Sequence, residues 1–460
     1  MKRSSLCKLL SAVSAGVLCL VTAGFSASAV EDKDIEASSN LPVAEKIVLS
    51  DLGETVYYVD APSPFSKTRE AQLETRKYNA LSAADKTLFD RCKGLRYGYD
   101  DLSHYDSQAA GARSLYNGMY DYAMELWGSG SELTYTLEDI DVTDKKTGTT
   151  TTKTFKCINM IEPTSYIGGL NAAQVYFTFR HDNPLFYFYG MSVINYTDGS
   201  LGILIEDDRY IYADNRASFQ KAIKDFLSGS ESVVKNDYTC TDYRNALELY
   251  KKVTNNMEYA RYSNGEASEE PFAHNILGGI VDHKGVCESY AKIYSLLLTY
   301  NHIDNIFVTG MAGTEAHAWN LLKFDDGKYY YADSTWDDTN GSSNGDDTSY
   351  FAKGTTNFLD KHTLDEPSAL YALTHDNIYL YPIPDVPADD FNKNGDYRKT
   401  NPRLVDFNRD GSSNNLDIKF LQTQITKGIS YSNAFDLNND KKLNNRDLKE
   451  LQSALNGFAK

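Results

Sequence analysis

The sequence predicts an α+β fold, in which a helix packs on an antiparallel sheet, followed by a small all-α module. Residues 285–300, GVCESYAKIYSLLLTY, repeat apolar side chains at helical spacing. Residues 315–338, EAHAWNLLKFDDGKYYYADSTWDD, have the pattern of two strands joined by a turn. A loop and the helix behind it recur after residue 402, which indicates a duplicated helical module.

The N-terminus has the pattern of a signal peptide. Basic residues precede an apolar run over residues 9–24, and Ala27-Ser28-Ala29 follow as an A-x-A cleavage signal. We therefore expect residues 1–29 to be removed and the remaining chain to be secreted, extracellular and soluble. No later stretch is long and apolar enough to be predicted as a membrane span.

Composition narrows the possible partners. The 460 residues include 64 acidic and 46 basic side chains, and the formal charge of −18 argues against a nucleic-acid partner. Cys7 and Cys19 lie in the signal peptide. The other four cysteines are Cys92, Cys157, Cys240 and Cys287. They are too few for a small disulfide scaffold, although one or two disulfide bridges among them are compatible with the sequence.

The pattern along the chain predicts the elements in order. They are a strand near residues 54–58, helices within 66–128, hairpins of 133–142 with 149–160 and of 186–196 with 201–205, and helices at 217–227 and 243–259. We assign residues 30–240 to a mixed helix and hairpin region and residues 241–375 to the core. Three prolines between residues 382 and 387 predict a linker over residues 376–401.

Cys287 lies at the predicted start of the core helix. Apolar side chains follow it at +3, +4, +7 and +11, namely Tyr290, Ala291, Tyr294 and Leu298. The dipole at a helix N-terminus favours an anion such as a thiolate, and the Cys287 amide is positioned to donate to an oxyanion. This position alone does not distinguish a nucleophile from half of a disulfide or a buried filler.

The predicted hairpin decides which side chains face each other. A three-residue loop with Gly327 in the left-handed conformation pairs Trp319 with Asp333. His317 then lies diagonal to Asp333 on the same face, with Cβ atoms about 7 Å apart. A two-residue turn would put the two side chains on opposite faces. The first register therefore predicts a nucleophile, base and orienting acid in Cys287, His317 and Asp333.

The motifs GVCxxYA, HAWN and ADSTW, in that order, resemble the transglutaminase-like superfamily, which has a papain-like thiol fold. The resemblance covers about residues 240–365, and DNPLFYFYG upstream and YFAKGTTNF downstream look like bacterial members. It implies that Cys287 is the nucleophile, His317 the base and later the acid, and Asp333 the orienting group, with no cofactor for catalysis. Three neighbours are expected to build the surrounding core: Trp319, Asn320 and Trp336.

The C-terminal duplication carries oxygen side chains in register. Asp, Asn, Asp, Asn and Asp recur at positions 1, 3, 5, 9 and 12 of two loops, a pattern that suits Ca²⁺, with position 7 binding through its carbonyl. Position 6 favours glycine, and Lys441 replaces Gly411 there, so we expect a weaker or more strained second site. The predicted ligands are Asp406, Asn408, Asp410, Ser412, Asn414 and Asp417, then Asp436, Asn438, Asp440, Lys442, Asn444 and Asp447.

Residues 402–460 resemble a type I dockerin, a module with two Ca²⁺ loops that binds a cohesin on a scaffoldin. The resemblance implies a component of a cellulosome. In that family positions 10 and 11 of each loop face the cohesin, here Asn415, Leu416, Asn445 and Arg446. The two faces differ chemically, and the sequence does not decide which one binds or whether both do.

The reaction that the resemblance implies is cysteine-dependent acyl transfer on protein or peptide amide bonds. Water as the acceptor gives a peptidase or amidase, which the degradative setting favours, and a lysine amine gives a protein crosslink. A glycoside hydrolase is an alternative and needs a carboxylate pair, for which Glu206, Asp207 and Asp208 are candidates. A non-catalytic binding module that uses the same fold is the third.

Overall fold

The computed structural model describes residues 32–33, 41–48, 52–61, 81–92, 109–144, 147–161, 172–234, 241–339, 348–364, 383–398, 400–408, 412–429 and 435–458. The predicted signal peptide, Cys240, Asp410 and Gly411 lie outside the described residues. Among the described helices, none combines the length and apolar character needed to cross a membrane.

The N-terminal region contains a small β-barrel. The strands follow the chain as β1 (Asp32–Lys33), β2 (Val43–Val48), β3 (Thr55–Val59), β4 (Thr136–Thr143), β5 (Thr150–Ile161), β6 (Ser192–Tyr196) and β7 (Leu201–Leu204). They lie in the order β1-β5-β4-β2-β3-β6-β7, and β7 also pairs with β5, which closes strands β2 to β7 into a ring. Alternate side chains of these strands fill the interior with their own apolar cluster.

Four helices pack beside this barrel: α1 (Ala83–Cys92), α2 (Ala109–Gly128), α3 (Ala172–Asp182) and α4 (Ala213–Ser228). Both predicted hairpins form, as β4 with β5 and β6 with β7. The second begins only at Ser192, because Asn183 and Pro184 start a turn that carries the chain through residues 184–189. Helix α3 was not predicted from the sequence.

The core domain is a helix on a five-stranded antiparallel sheet, as predicted. Its helices are α5 (Thr241–Thr254), α6 (Ile276–Ile280), α7 (Cys287–Tyr300), α8 (Ser334–Thr339) and α9 (Thr355–Phe358). A short parallel pair, β8 (Glu258–Tyr259) and β9 (Lys284–Gly285), precedes α7. The sheet has the order β13-β12-β11-β10-β14, formed by β10 (Asn305–Ala312), β11 (Glu315–Lys323), β12 (Tyr329–Ala332), β13 (Phe351–Lys353) and β14 (His362–Leu364).

The register of the β11–β12 hairpin confirms the prediction. Asn320 lies opposite Ala332 and Lys323 opposite Tyr329. The Phe324 amide donates to the Lys328 carbonyl over 3.0 Å, and Gly327 has a φ of +78°. The loop is thus the three-residue type with a left-handed glycine. One helix prediction was wrong at its end: α5 stops at Thr254, and residues 258–259 form β8 instead.

One hydrophobic core runs across the boundary predicted at residue 240. Aromatic side chains of α2 and α3 belong to the same buried cluster as Tyr250 of α5 and Tyr290 and Tyr294 of α7. The N-terminal region and the core domain therefore share an interior, and the predicted boundary does not separate two cores.

The described part of the predicted linker, residues 383–398, packs on the core domain. The Thr355 amide donates to the Pro387 carbonyl over 2.8 Å. Asp390 accepts from Lys353 and from the Gly354 amide at 3.0 Å. Phe391 is buried and stacks on Tyr243. Pro384 and Pro387 lie in irregular backbone, as the proline content predicted, and the buried Phe391 anchors this segment on the core domain.

The described C-terminal residues form two repeats of loop and helix, with α10 (Asn415–Thr426) and α11 (Asn445–Phe458) packed around their own apolar cluster. Asn414 caps α10 in a capping box with Asp417. Arg403 reaches back to the core domain, where it pairs with Asp242 at 2.7 Å. The module is therefore held against the core domain by polar contacts.

Candidate active site

Cys287 is the first residue of α7, where the sequence predicted it. Val286 is the N-cap, with extended backbone. Gly285 precedes it because a Cβ there would lie 2.5 Å from the Ser289 side chain, so the first turn of α7 leaves room only for glycine. Cys287 is a free thiol and is only 4% exposed. The described cysteines Cys92 and Cys157 are also free, so the disulfide interpretation of Cys287 finds no partner among them.

Small side chains bring α7 close to the sheet. Ala291, one turn after Cys287, packs against Ala318 of β11 and against Phe307 of β10. The Asn320 amide group donates to the Ala291 carbonyl over 3.0 Å. These contacts fix the start of α7 beside His317, which precedes Ala318 in the strand.

His317 lies between the other two predicted residues. Its Nε2 lies 2.8 Å from Asp333 Oδ2. Burial alone would lower the pKa of His317, but the Asp333 carboxylate and Cys287 outweigh it and raise the pKa to about 10. The structure thus brings His317 and Asp333 into a hydrogen bond, with Cys287 close enough to favour the charged form of His317.

Asp333 links the end of β12 to the start of α8. Its carboxylate is wholly buried, and Oδ1 accepts from the amides of Thr335 at 3.0 Å and Trp336 at 3.2 Å. Burial raises the pKa of this carboxyl, but His317 and the further donors hold it well below its usual range. Asp333 is therefore a fixed anion beside the imidazole.

A second histidine, which the sequence analysis missed, contacts the same carboxylate. His362 of β14 has its Nε2 3.0 Å from Asp333 Oδ2 and is wholly buried. Among the described residues, one group of histidine, cysteine and acidic side chains has ligand atoms within 4.8 Å of one another: His317, Asp333 and His362. A lone histidine in the sequence DKHTL gave no signal of this contact.

The residue after the cysteine carries a buried ion network, also missed. Glu288 accepts from Arg180 of α3 at 2.5 Å and from Lys292 at 2.6 Å. Arg180 also donates to Glu54 over 2.7 Å. Burial would raise the pKa of Glu288, but Lys292 and Arg180 hold it well below its usual range. The charged Glu288 on the apolar face of α7 was the sequence signal that could have indicated this network.

The neighbours predicted to build the surrounding core do so. Trp319 and Asn320 are almost fully buried. Trp336 is half-buried and packs against Tyr350 with ring centroids 5.0 Å apart. Residues 340–347, which follow α8, lie outside the described residues.

The family comparison agrees with this geometry. Residues 233–334 match the model of the transglutaminase-like superfamily. This segment is a transglutaminase-like domain. The match includes Cys287, His317 and Asp333 and stops before His362. The superfamily assignment supports an enzyme of the cysteine-dependent acyl-transfer kind.

Two solved structures resemble this chain weakly. One, described as a TGase, is 13% identical with a TM-score of 0.23 and covers 32% of this chain and 42% of its own. The other, from Cytophaga hutchinsonii and provisionally described as a cysteine protease, is 16% identical with a TM-score of 0.19 and covers 44% of this chain and 62% of its own. The chain therefore spans less than two thirds of each. No curated protein matches the sequence.

The predicted calcium residues lie in two loops outside the transglutaminase-like domain. In the second loop Asp436 accepts from the amides of Asp440 at 3.1 Å and Lys441 at 2.8 Å, and Asp447 accepts from Leu437 and Asn444. In the first, Asp417 accepts from the amides of Asn408 and Asn414. The buried carboxylates of Asp417, Asp436 and Asp447 and an all-oxygen donor set fit Ca²⁺. The other described residues predicted as ligands in these loops include Asp406, Ser412, Asn438 and Lys442.

Lys441 occupies position 6 with a φ of +61°. A non-glycine residue in this left-handed region costs about 1 kcal/mol. Lys441 therefore holds left-handed backbone at the position where the Ca²⁺ loop favours glycine, and the corresponding Gly411 of the first loop lies outside the described residues. The four residues predicted to meet a cohesin are all exposed on the first turns of α10 and α11: Asn415, Leu416, Asn445 and Arg446.

The carboxylates considered for glycoside hydrolysis are engaged in local structure. Glu206 accepts from the amides of Met191 and Ser192 at 2.8 and 2.7 Å. Asp207 pairs with Arg209, and Asp208 pairs with Lys156 at 2.7 Å. This arrangement explains their presence as structural groups and gives no support to that alternative.

Proposed function

We propose that the protein is a secreted enzyme that transfers acyl groups from protein or peptide amide bonds through a thioester on Cys287. The observation that carries the proposal is His317, which hydrogen-bonds the buried Asp333 and whose charged form is favoured by Asp333 and Cys287. A thiolate held beside an imidazolium is the reactive form of a cysteine nucleophile.

The reaction then follows from these three side chains. The Cys287 sulfur attacks the carbonyl carbon, a C–S bond forms, and the C–N bond breaks as His317 gives its proton to the leaving nitrogen. His317 next takes a proton from water, which attacks the thioester and releases the acid and the thiolate. Asp333 keeps the imidazole oriented and stabilises its charged form.

A lysine amine in place of water would make a crosslink through the same thioester. Hydrolysis is the favoured outcome because an enzyme held among degradative partners acts on polymers that are being broken down. The test is an assay with casein, with and without a fluorescent amine, using wild type and Cys287→Ser. We expect wild type to release peptides or ammonia and not to incorporate the amine. We expect Cys287→Ser to show neither product release nor amine incorporation.

Amine incorporation that depends on Cys287 would assign transamidation instead. Equal release of product by wild type and Cys287→Ser would contradict catalysis by this cysteine. Both proteins should unfold at the same temperature, which shows that the substitution removes chemistry and leaves the fold intact.

We also propose that residues 402–460 bind two Ca²⁺ ions and attach the enzyme to a scaffoldin cohesin, as a cellulosome-associated dockerin does. The repeated loops, their buried carboxylates and the exposed first turns of both helices support this proposal. Metal binding of this kind is coupled to folding of the module. Chelation by EGTA is therefore expected to remove cohesin binding in a pull-down while leaving casein turnover unchanged.

Two double variants test which exposed face binds the cohesin. Asn415→Ala with Leu416→Ala removes one face, and Asn445→Ala with Arg446→Ala removes the other. Loss of cohesin binding in one double variant assigns the face. Loss only when all four substitutions are combined shows that both faces bind, and binding by that combined variant shows that these positions do not carry it. Binding that persists in EGTA would contradict the calcium dependence.

A further inference from the structure

His362 lies at the candidate active site but outside the series predicted from the sequence. His362 begins β14, which follows β13 in the chain and pairs with β10 at the opposite edge of the sheet. This pairing places His362 beside Asp333. Its side chain is wholly buried. Burying an imidazole costs free energy unless its ring nitrogens find hydrogen-bond partners, so a histidine here needs a reason beyond filling space.

The Asp333 carboxylate is held from several sides. Oδ1 accepts from two backbone amides at the start of α8. Oδ2 lies 2.8 Å from His317 Nε2 and 3.0 Å from His362 Nε2. His317 therefore shares its acceptor oxygen with His362, and the second contact restricts where that oxygen can lie relative to the imidazole of His317.

Aromatic side chains fix the His362 ring. Phe358 stacks on it with centroids 4.0 Å apart and an interplanar angle of 15°. Trp336 and Trp319 lie 4.5 and 5.2 Å away. The Nδ1 atom lies 3.2 Å from the Phe358 carbonyl oxygen. Because the ring is packed on its faces and each nitrogen lies within 3.2 Å of an acceptor oxygen, its contact with Asp333 has a defined geometry.

The distances distinguish hydrogen bonds from metal coordination. The three side chains offer ligand atoms within 4.8 Å of one another. Two ligands on a tetrahedral zinc ion, each about 2.05 Å from the metal, would lie roughly 3.3 Å apart. The separations of 2.8 and 3.0 Å from Asp333 Oδ2 are those of N–H···O hydrogen bonds.

We propose that His362 is a positioning residue, which holds the Asp333 carboxylate so that it orients His317 toward Cys287. The proposal rests on the proposed acyl-transfer function and adds to it a fourth residue. His362 does not contact the reacting atoms. Its effect passes through Asp333, and it should therefore change the rate of the chemical step more than substrate binding.

The experiment compares His362→Leu, which removes the donor, with His362→Gln, whose side-chain amide can donate from nearly the same place. Thr363→Ala is the matched control, since its exposed side chain lies on the next residue of β14. Two rates are measured on the full-length chain: alkylation of Cys287 by iodoacetamide at pH 7, and turnover of casein. Thermal unfolding shows which variants remain folded.

We expect His362→Leu to lower both the alkylation rate and kcat about tenfold, the loss that one hydrogen bond to a charged group produces, with KM unchanged. His362→Gln should recover most of both rates, and Thr363→Ala should match wild type. A purely structural role predicts instead that any loss follows thermal stability and that glutamine does not rescue it.

The outcomes separate this proposal from the proposed function. If His317→Ala slows alkylation while a folded His362→Leu reacts as fast as wild type, the positioning role is wrong and the acyl-transfer proposal stands. If wild-type alkylation does not depend on His317, both proposals fail. If His362→Leu does not fold, His362→Gln decides: normal rates support the donor role, and rates reduced tenfold in a protein of normal stability overturn it.

Discussion

At the scale of single residues, the site depends on one buried imidazole between a sulfur and a carboxylate. His317 is 5% exposed, and its charged form is favoured by Asp333 and Cys287 over the opposing effect of burial. Removing one partner of an ion pair in such surroundings strongly destabilises the folded protein, because the other charge stays buried without its partner. The same interactions that prepare the site for chemistry therefore also contribute to folding stability, and that contribution depends on pH.

The pKa of His317 predicts the sign of this dependence. Its folded pKa is raised to about 10 from an ordinary value of 6.5. The stabilisation is therefore fully present below pH 6.5 and is lost as the pH rises through 10. Urea denaturation of wild type and His317→Gln should give a difference in unfolding free energy that is largest below pH 6.5 and shrinks toward pH 10.

A difference that stays constant across this range would contradict the raised pKa. His283→Gln is the matched control, because His283 is exposed and its Nδ1 lies 2.9 Å from the Asn256 carbonyl, far from the buried site of His317. That variant should show no such trend with pH.

At the scale of elements, the local signals were sufficient where neighbours in sequence are also neighbours in space. Gly327 fixes the loop type, the loop type fixes the register, and the register places His317 beside Asp333. Helix α7 was predictable because its apolar positions recur at helical spacing. Helix α3 was not, because almost all of its residues are buried and a helix without a polar face has no periodic pattern.

Contacts between distant segments were not predictable from one sequence. His362 reaches Asp333 only because β14 returns to pair with β10, and no turn motif specifies that pairing. The packing of the predicted linker was not predictable for a similar reason: Phe391 packs on Tyr243 and Phe324, which lie far away in the sequence. Proline content describes the backbone of residues 383–398 but not the surface on which they pack.

Asp325 provides a test at the same scale, since the hairpin loop also caps another element. Its buried carboxylate accepts from the amides of Thr241, Asp242 and Tyr243 at 3.0 to 3.1 Å, at the start of α5. Asp325→Ala is expected to lower the unfolding free energy by about 2 kcal/mol, as the loss of a helix cap does. Chemical denaturation measures this.

The neighbouring Asp326→Ala is the matched control. Asp326 is half-buried and accepts from the Lys328 amide within the same loop. Asp326→Ala should lower the unfolding free energy by less than about 1 kcal/mol. Equal losses for the two variants would show that the loop itself, and not the cap on α5, determines the stability.

At the scale of the whole molecule, the N-terminal region and the transglutaminase-like domain are joined through buried charges. Arg180 of α3 bridges Glu54 and Glu288, and its side chain is only 4% exposed. Glu288 directly follows Cys287. The N-terminal barrel and its helices therefore supply a partner to the helix that carries the cysteine.

Removing the bridging charge leaves two buried carboxylates without their shared partner. Arg180→Met is expected to lower the unfolding free energy by about 3 to 5 kcal/mol. Lys221→Met, which breaks the exposed Lys221–Asp225 pair, should change it by less than about 1 kcal/mol. Similar small effects of both substitutions would show that the network does not join the two regions.

The central claim is that His317 activates Cys287, and alkylation measures it without knowledge of the substrate. The rate of iodoacetamide modification of Cys287 is determined at pH 7 by mass spectrometry in wild type and His317→Ala, with Cys287→Ser giving the background from other thiols. Activation by His317 predicts that His317→Ala reacts about tenfold more slowly. Equal rates in two folded proteins would contradict the account.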